Sequence, residues 1–469
     1  MGKMSQAVGN RLEQFGRYIA AEPSTTRRDP GTRIQSSDSI LSESKRKRAT
    51  EGARELWRNY SVVAWAVRKH LDYVANFTFQ ADTGNPEVNE QLEKLMDWWG
   101  RPLNCDVAGR HSLKRIVRLL EARRVMDGDV FVVKLASGQL QAIEGDRVRT
   151  PDRNVSPQKP GDPPAYTHGI KTNKAGKMLS VAIHRRQDDG SYVFERNVGA
   201  GGILQLGYFD AFDQYRGVSP LTSAISGFQD ALEAKDYALA KAKITQLFAL
   251  AITRENADAF DNDDDEASED YKIDFGEGPV KIDMDPGDNA TFLESKHPST
   301  EFQAFLKLTL QAALKSLDIP WSFFDESFTN FFGSRSALVQ YQKSCESKRD
   351  DLKETLNRLT GWRISKWLAR GVLVLPPGVK ATDLKWDWIP AGIPWWDPSK
   401  EIKGDVLAIE NNLRTRSEIR KERFGDSWRD VVRRKAEEDK FLLETLGPLA
   451  LGIEEEAPTE IEEESEDDE

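Results

Sequence analysis

Residues 218–239, VSPLTSAISGFQDALEAKDYAL, begin a long helical pattern in the middle of the chain. Ser219 is a favourable N-cap residue, and Pro220 stands at the first helical position, where its missing N–H loses no hydrogen bond. The apolar stripe that follows consists of Leu221, Ile225, Phe228, Leu232 and Leu239. Steps of three and four residues are typical of an amphipathic helix. The pattern predicts a helix from 219 to about residue 253, roughly 50 Å long at ~1.5 Å per residue.

The segment before this helix combines helices with short strands. Helical periodicity covers 42 to about 77, 86–99 and 110–126, and the last helix ends at Asp127-Gly128-Asp129. Strand-like pieces then alternate with turns to about residue 210: VFVVKL, LQAIEGDRV, KMLSVAIHR, SYVFE and ILQLGYF. This half is predicted to be an α+β domain, preceded by a flexible polar arm at residues 1–40.

Helices predominate in the second half of the chain. The acidic, strand-poor segment 257–297 is followed by a helix that begins with the capping-box pair Thr300 and Gln303. This helix is predicted to stop before Ile319-Pro320, because the residue before a proline disfavours helical backbone.

Another long helix follows the stretch SFTNFFGSRSALVQYQ at 327–342. Ser334 is its predicted N-cap, and it is predicted to reach Arg370 with Gly371 as the C′ residue. Its apolar positions recur every seventh residue, at Leu338, Cys345, Leu352 and Leu359. A Trp-rich turn region, LKWDWIPAGIPWWDPSKE, and two shorter helices near 399–412 and 415–446 complete the pattern. Long helices with one-sided stripes suit repeated subunits packed side by side.

The composition describes a soluble globular protein, with 39% hydrophobic and 30% charged residues among 469. No run of 18 apolar residues occurs and no apolar segment opens the chain, so neither a membrane span nor a secretory signal is expected. The two cysteines, Cys105 and Cys345, are far apart and lack metal-type spacing. They favour a reducing compartment, the cytoplasm, as the place of folding.

Charge is distributed unevenly along the chain. The segments 454–469 and 257–297 each carry a net −11, which equals the net charge of the whole protein, so the rest is at about +11. One interpretation is that the acidic segments are simply solvated, as exposed or disordered segments are. The other is that a mildly basic body faces an anion while the acidic parts prevent it from sticking.

Catalytic and metal-binding patterns are missing from the sequence. The histidines, at 70, 111, 168, 184 and 297, are scattered without an HExxH pattern, and VGAGG at 198–202 is followed by a strand and lacks GK[ST]. DNDDDE at 261–266 and DMDPGD at 283–288 lack the spacing of an EF-hand. We therefore expect no enzyme activity, metal or cofactor. Zinc-finger, basic-zipper and helix-turn-helix patterns are absent too, so contact with nucleic acid would use shape and charge.

Five stretches, in order along the chain, carry a resemblance to a known family. They are IEGDRV (143–148), FDQYRGVSPL (212–221), DPGDNATFLESKHPSTEFQAF (285–305), SLDIPWSFF…NFFGSRSAL (316–338) and WWDPSKE (395–401). The motif positions within them are Asp146, Arg147, Gln214, Arg216, Gly217, Pro320, Asp397, Pro398 and Lys400. From about residue 40 to 446 the chain resembles the portal proteins of tailed bacteriophages, in their phage-lambda-like branch. It departs from them at Asp318, where the family has Gly, and at Phe332-Gly333 in place of Tyr/Ser.

The resemblance implies a ring, dodecameric in the virion, at one capsid vertex. Double-stranded DNA passes through such a ring without sequence specificity during packaging and ejection. The partners implied are the large terminase subunit, head–tail connector or adaptor proteins, and the major capsid and scaffold proteins, with no membrane and no cofactor. The ring would be assembled in the host cytoplasm and reside in the virion.

The resemblance also implies a division of the chain into parts. These are a flexible arm (1–40), an α+β wing (41–218), a first stem helix (219–254), a clip (255–299), a second stem helix (300–318), a channel loop (319–335), a long helix with wing return (336–398), a helical crown (399–452) and a disordered acidic tail (453–469). The fold class expected is therefore α+β, mainly helical.

The channel loop raises a specific hypothesis. Phe328, Asn330, Phe331, Phe332, Gly333 and Ser334 would line the passage, with the phenylalanines forming an apolar collar against neighbouring subunits. Arg335 and Lys343 would be the basic groups near DNA, since an arginine at a helix start opposes the helix dipole and fits an external anion. The alternative is that the phenylalanines pin the loop to their own subunit and Arg335 pairs with a carboxylate.

Other classes of protein remain as alternatives. A head–tail adaptor or scaffold ring component without a DNA-translocation role would lack the order stem, clip, stem. A nuclease or protease would need a catalytic constellation, which the sequence does not display. A membrane-peripheral protein using the basic body would bind liposomes.

Overall fold

The computed structural model describes residues 35–152, 166–247, 250–254, 288–292, 300–325, 331–392 and 397–446. Of these it gives only the backbone at 244–247, 250–254, 288–292 and 331–332. The described chain is mainly helical and contains four small sheets, all antiparallel. The predicted α+β, mainly helical class is confirmed at this level.

The N-terminal part contains six helices and the first strand among its described residues. They are α1 Ser37–Ile40, α2 Glu43–Asn59, α3 Ser61–Val74, β1 Phe77–Ala81, α4 Pro86–Trp99, α5 Pro102–Cys105 and α6 Leu113–Asp127. The single helix predicted over 42–77 is wrong at Tyr60, where extended backbone (φ −117°, ψ 108°) separates α2 from α3. The prediction for α4 is confirmed at both ends, since Asn85 caps its start by accepting hydrogen bonds from the Glu87 and Val88 amides.

Six further strands form two three-stranded sheets. The strands are β2 Asp129–Lys134, β3 Leu140–Glu144, β4 Ile170–Thr172, β5 Met178–Arg186, β6 Tyr192–Gly199 and β7 Ile203–Gly207. Their orders are β3-β2-β7 and β4-β5-β6. The strands expected from the sequence up to residue 210 are thus confirmed.

The central helix is shorter than predicted. A 3-10 turn at Pro220–Ser223 precedes α7 Ile225–Leu247, and strand β8 Leu250–Arg254 then pairs antiparallel with β9 Asp288–Phe292. The helix predicted to residue 253 is wrong at 250–253, which belong to β8. Of the acidic segment 257–297 the structure describes only 288–292, which form β9. Pairing between segments more than 30 residues apart decides the structure of β8, and local periodicity contains no information about such pairing.

The helices on either side of the predicted channel loop follow the sequence in part. Helix α8 Thr300–Leu314 continues as a 3-10 turn, Lys315–Leu317, and stops before Pro320 as predicted. Helix α9 Phe331–Ala369 has 39 residues, roughly 58 Å at ~1.5 Å per residue. It begins before Ser334, so the prediction that Ser334 is the N-cap is wrong.

The rest of α9 agrees with its sequence pattern. Its four heptad positions, Leu338, Cys345, Leu352 and Leu359, are all buried. Gly371 has φ +68°, its amide donates to the Leu368 carbonyl and the Val372 amide donates to the Trp367 carbonyl. A glycine with positive φ followed by such backbone bonds is a helix C-terminal cap, as predicted.

The C-terminal part returns to the N-terminal part through a strand. Strand β10 Trp386–Pro390 pairs antiparallel with β1, so the turns predicted in this Trp-rich region are wrong at these residues. The last described helices are α10 Pro398–Glu410, α11 Arg416–Phe424 and α12 Trp428–Leu446. The helix predicted over 415–446 is interrupted because Gly425 adopts φ +66° and ends α11.

Two apolar cores hold the described residues together. The larger lies among α2, α3, α4, α6 and α9, where Trp99 packs edge-on against Trp367 and its indole N–H donates to the Gly138 carbonyl at 2.9 Å. The smaller lies between the two three-stranded sheets and is built on Phe131 and Ile183. None of the helices in the described ranges is both long and apolar enough to cross a membrane.

Candidate functional site

The motif residues around 212–221 converge on a buried carboxylate at the start of β2. The Arg216 guanidinium contacts both oxygens of Asp129, Nε to Oδ2 at 2.6 Å and Nη2 to Oδ1 at 2.9 Å. The Gly217 amide donates to the same carboxylate at 3.0 Å, and Arg46 of α2 approaches it at 3.4 Å. Asp129 was recognised in the sequence only as a helix-end residue. Its placement before the apolar run VFVVKL was the available signal.

All three guanidinium nitrogens of Arg216 donate hydrogen bonds. Its other bonds go to the carbonyls of Gly145, Val148 and His168, at 2.6–2.8 Å. Burial alone would raise the pKa of the Asp129 carboxyl, but Arg216 and Arg46 more than offset this and hold the pKa below its ordinary value. A buried arginine whose donors are all satisfied has a structural role. Here Arg216 joins the 212–221 turn to β2 and to the ends of two loops.

Two glycines explain why this junction is so close. Gly128 has φ +90°, and a Cβ on Gly217 would lie 2.2 Å from the Gly128 carbonyl oxygen. A Cβ on Gly128 would lie 2.5 Å from the Gly217 carbonyl oxygen in turn. The two backbones therefore touch directly, which only glycine permits at both positions.

Gln214 closes the neighbouring loop. Its side-chain oxygen accepts from the Asp210 amide at 2.9 Å, and its side-chain nitrogen donates to the carbonyls of Tyr208 and Arg216. The Val218 amide also donates to the Tyr208 carbonyl at 3.1 Å. Gln214 and Arg216 thus fix both ends of a loop, residues 208–218.

Asp146 belongs to a second charged cluster, centred on Arg54 of α2. A single guanidinium nitrogen of Arg54 lies 2.6 Å from Asp127, 2.9 Å from Asp146 and 3.3 Å from Glu144. The three carboxylates lie close enough to hold a metal ion. Arg54 contacts all three, Arg123 pairs with Glu144, and Arg186 pairs with Glu144 and Asp146. Three guanidinium groups thus balance the three carboxylates, and the cluster does not fit a metal site.

The surroundings of Asp146 keep it ionised. Burial raises its pKa, but the Tyr192 hydroxyl at 2.6 Å, Arg186 at 2.5 Å and Arg54 lower it far more, well below the ordinary value. The adjacent motif residue Arg147 donates to the His184 carbonyl at 2.9 Å. Both residues of the IEGDRV stretch therefore tie β3 to the β4-β5-β6 sheet.

The turn after α8 contains Asp318, at the position where the family that the sequence resembles has Gly. Asp318 has φ +61°, a conformation that favours glycine, and its carboxylate accepts from Ser344 at 2.5 Å and from Lys348 at 2.9 Å. Asp tolerates this backbone better than most residues, and the two bonds to α9 hold it there. Pro320 follows as the N-cap residue of the 3-10 turn Trp321–Phe323.

The described residues include 319–325 and 331–335 of the predicted channel loop. Phe328 and Asn330 lie outside the described residues, and Phe331 and Phe332 are described by their backbone alone, inside α9. Gly333 and Ser334 also belong to the first turns of α9 instead of a loop, and the side chain of Ser334 is buried.

The two basic positions differ in their surroundings. Arg335 forms an ion pair with Glu401 of α10, and Arg423 contacts the other oxygen of Glu401 at 2.9 Å. Of the two alternatives for Arg335, the structure has the carboxylate pair. Lys343 is exposed and lies 3.4 Å from Glu346, one turn along the same helix.

The DPSK motif caps α10. Asp397 is the N-cap residue, its carboxylate accepts from the Lys400 amide at 3.4 Å, and Pro398 occupies the first helical position. The Lys400 ammonium lies 3.2 Å from Asp397. The motif thus encodes a helix start.

One buried polar group escaped the sequence patterns. His70 of α3 contacts Glu121 of α6 at 2.7 Å, and both side chains are completely buried. The Tyr208 hydroxyl donates to Glu121 at 3.0 Å, and Arg124 lies over the Tyr208 ring and contacts Asp351 of α9. Burial lowers the pKa of His70 against the opposing effect of Glu121. This group joins α9 to the N-terminal helices, and no nucleophile accompanies the histidine within hydrogen-bonding distance among the described residues.

These features define the class: a mainly helical structural protein whose motif residues stabilise the fold through ion pairs, hydrogen bonds and helix caps. Comparison with known proteins identifies the family. Residues 25–349 match the profile described as phage portal protein, lambda family. Because this match covers more than half of the sequence, the chain belongs to the lambda family of phage portal proteins. It is accordingly a structural, non-enzymatic component of the virion's portal vertex.

Individual relatives are more distant. A probable portal protein of Halomonas phage phiHAP-1 is 24% identical over 426 residues, covering 81% of this chain and 76% of that protein. A chain in the neck of an empty gene transfer agent (GTA) particle has a TM-score of 0.49 and 13% identity, over 78% of this chain and 92% of that one. A chain in the virion of a native GTA particle has a TM-score of 0.47 and 13% identity, over 80% and 92%. The family assignment depends on the sequence profile alone.

Proposed function

We propose that this portal protein assembles into a closed ring, a dodecamer in the virion, through which double-stranded DNA passes during packaging and ejection. The observation that carries the proposal is the family match, together with the order helix, two-stranded sheet, helix in the middle of the chain. A ring requires head-to-tail interfaces, so each subunit must present two different complementary faces.

The paired central helices supply one kind of support for a ring. Helices α7 and α8 pack against each other, and a Cβ on Gly227 would lie 3.7 Å from the Cβ of Ala313. Away from this contact, large apolar side chains are exposed on both helices: Tyr237, Leu239, Phe305 and Leu308. Exposed apolar groups on a helix pair indicate a protein contact, which copies of the same chain would provide.

The parts of the subunit receive the following proposed roles. Residues 41–218 form the wing, α7 and α8 the stem, and the segment between them the clip, with β8 and β9 at its base. The channel loop is narrowed to residues 319–330, because α9 begins at Phe331. Helix α9 and β10 return the chain to the wing, and α10, α11 and α12 form the crown.

The conduit must admit DNA without holding it. Phosphate contacts strengthen binding steeply, so a lumen with many cations would stall a moving duplex. We propose that the acidic excess of 257–297 lies partly at the narrow end of the ring. Lys343, which is exposed, is retained as a basic point facing DNA, whereas the charge of Arg335 is already shared with Glu401.

The remaining proposed partners follow from the role of a portal. Terminase and later the head–tail connector proteins would dock at the clip, and the major capsid and scaffold proteins would surround the wing. A ring-forming head–tail adaptor without translocation is the second candidate. The portal-family match over 25–349 favours the first.

Negative-stain electron microscopy of the purified full-length chain tests the proposal. Class averages are expected to show rings with a central hole and radial spokes. Filter binding with a labelled duplex at physiological salt should show weak binding by isolated subunits. Particles without a hole, or nanomolar DNA binding by monomers, would contradict it.

A further inference from the structure

The loop 208–218 presents an aromatic side chain to solvent. Phe212 is fully exposed, and Phe209 is 45% exposed while its ring covers the backbone of Gly207. Burying a phenylalanine is favourable by roughly 1.5–3 kcal/mol, so full exposure at a loop tip suggests a partner that covers it. No described part of the same subunit does so.

This loop is held rigidly at its base. The Gln214 side chain bonds to Tyr208, Asp210 and Arg216, and Val218 bonds to Tyr208, as described above. The Tyr215 amide adds a bond to the Asp38 carboxylate of α1 at 2.6 Å. A projection that is ordered before binding loses little entropy on binding, which favours a docking role. The motif residues Gln214, Arg216 and Gly217 thus hold the base of this projecting loop in place.

A cavity elsewhere on the chain has apolar lining residues that suit an aromatic side chain such as Phe212. It measures about 690 Å³, lies between β1, α4 and the start of α6, and is open to solvent. Its lining includes Phe77, Phe79, Met96, Leu113 and Trp388. This volume and apolar lining can accept an aromatic side chain.

Charge supports the match. Asp210 and Asp213, which flank Phe212, are exposed and form no ion pair with a described residue. The lining of the cavity carries both signs of charge: Asp97 pairs with Arg101 at 3.2 Å, and Glu93 accepts from the Ala81 amide at 3.0 Å. Lys114, on the rim, is exposed and has no carboxylate partner among the described residues, so it is the cation of this lining that an incoming carboxylate can pair with. Opposite charges around an apolar contact orient the two partners as they meet.

We propose that Phe212 of one subunit inserts into this cavity of the adjacent subunit, with Asp213 beside Lys114. A projection and a cavity at different places on one chain make a heterologous interface, which is the kind that closes into a ring. The inference depends on the proposed ring and adds its contact residues. The occupant of the cavity is therefore a second copy of this chain.

Cysteine cross-linking tests the contact directly. The natural cysteines, Cys105 and Cys345, are buried. The double variant Ala211→Cys/Lys114→Cys retains Phe212 and, treated with a short bis-maleimide under assembly conditions, should give a ladder of covalent oligomers on denaturing gels. The matched control is Leu413→Cys/Lys114→Cys, because Leu413 is an exposed apolar residue, at 77%. A ladder only with Ala211→Cys supports the contact, and equal ladders or none from both would overturn it.

Assembly measurements separate this inference from the ring itself. Phe212→Ser should raise the midpoint concentration for assembly roughly 10- to 100-fold, the amount expected for one buried phenylalanine per interface. Its melting temperature as a monomer should not change. Asp213→Lys and Lys114→Asp should each weaken assembly, and their combination should restore it. If wild-type chains form rings and Phe212→Ser does so equally well, the inference fails alone; if wild-type chains never form rings, the proposed function fails.

Discussion

Replacement of Arg216 by methionine tests whether the motif residues stabilise the fold. Methionine retains much of the side-chain volume but removes the bonds to Asp129 and to the carbonyls of Gly145, Val148 and His168. Asp129 is completely buried, so its charge would be left with only Arg46 as an ion-pair partner, at 3.4 Å. Removing one partner of a buried ion pair typically lowers stability by roughly 3–5 kcal/mol. We expect a loss in this range.

Urea unfolding of the monomer, followed by tryptophan fluorescence, measures this loss. The control is Arg58→Met, because the pair of Arg58 with Glu51 is more than half exposed on both sides and such pairs contribute ~0–1 kcal/mol. The double variant Asp129→Leu/Arg216→Met should lose clearly less than the sum of its single variants, since most of the expected loss comes from an unpaired charge. A loss below about 1 kcal/mol for Arg216→Met, or strict additivity, would refute the reasoning.

Three further predictions concern local geometry and charge. Asp318→Ala should lower the free energy of unfolding by roughly 2 kcal/mol, because alanine keeps the strained positive φ and loses the bonds to Ser344 and Lys348. Asp318→Gly, which relieves the strain, should lower it by less than half of that amount. Equal losses in urea unfolding would contradict this prediction. Gly217→Ala should abolish soluble folded protein, since its Cβ would lie 2.2 Å from the Gly128 oxygen, while Gly404→Ala, which meets no atom within 4 Å, should not. Asp146 has a lowered pKa, so its contribution to stability is complete above its ordinary value of 3.8 and is lost as the pH falls below it. Melting temperatures of Asp146→Asn should therefore lie below wild type at pH 7 and approach it toward pH 2; a constant difference would exclude this role.

Local signals predicted most helices correctly. The cap at Asn85, the heptads of α9 and the glycine at 371 each act within a few residues, so the sequence contains the whole of the relevant interaction. The Asp-Pro pair at 397–398 is of the same kind. Boundaries that depend on these residues agree with the structure to within a few positions.

Long-range interactions account for most wrong predictions. Strands β8 and β10 form because of partners that are distant in sequence, β9 and β1. The pairing of Arg335 with Glu401 spans 66 positions, so the sequence left its role open between DNA and a carboxylate. Asp129 could not be recognised as the partner of Arg216 for the same reason. The motif residues were identifiable, but their structural task required coordinates.

Native mass spectrometry of the purified full-length chain tests the ring most directly. The 53.0-kDa subunits should give a closed oligomer, near 640 kDa for twelve copies, with few open intermediates. A protein that remains monomeric at all concentrations and ionic strengths, or that forms an open series of masses without a preferred size, would contradict the account.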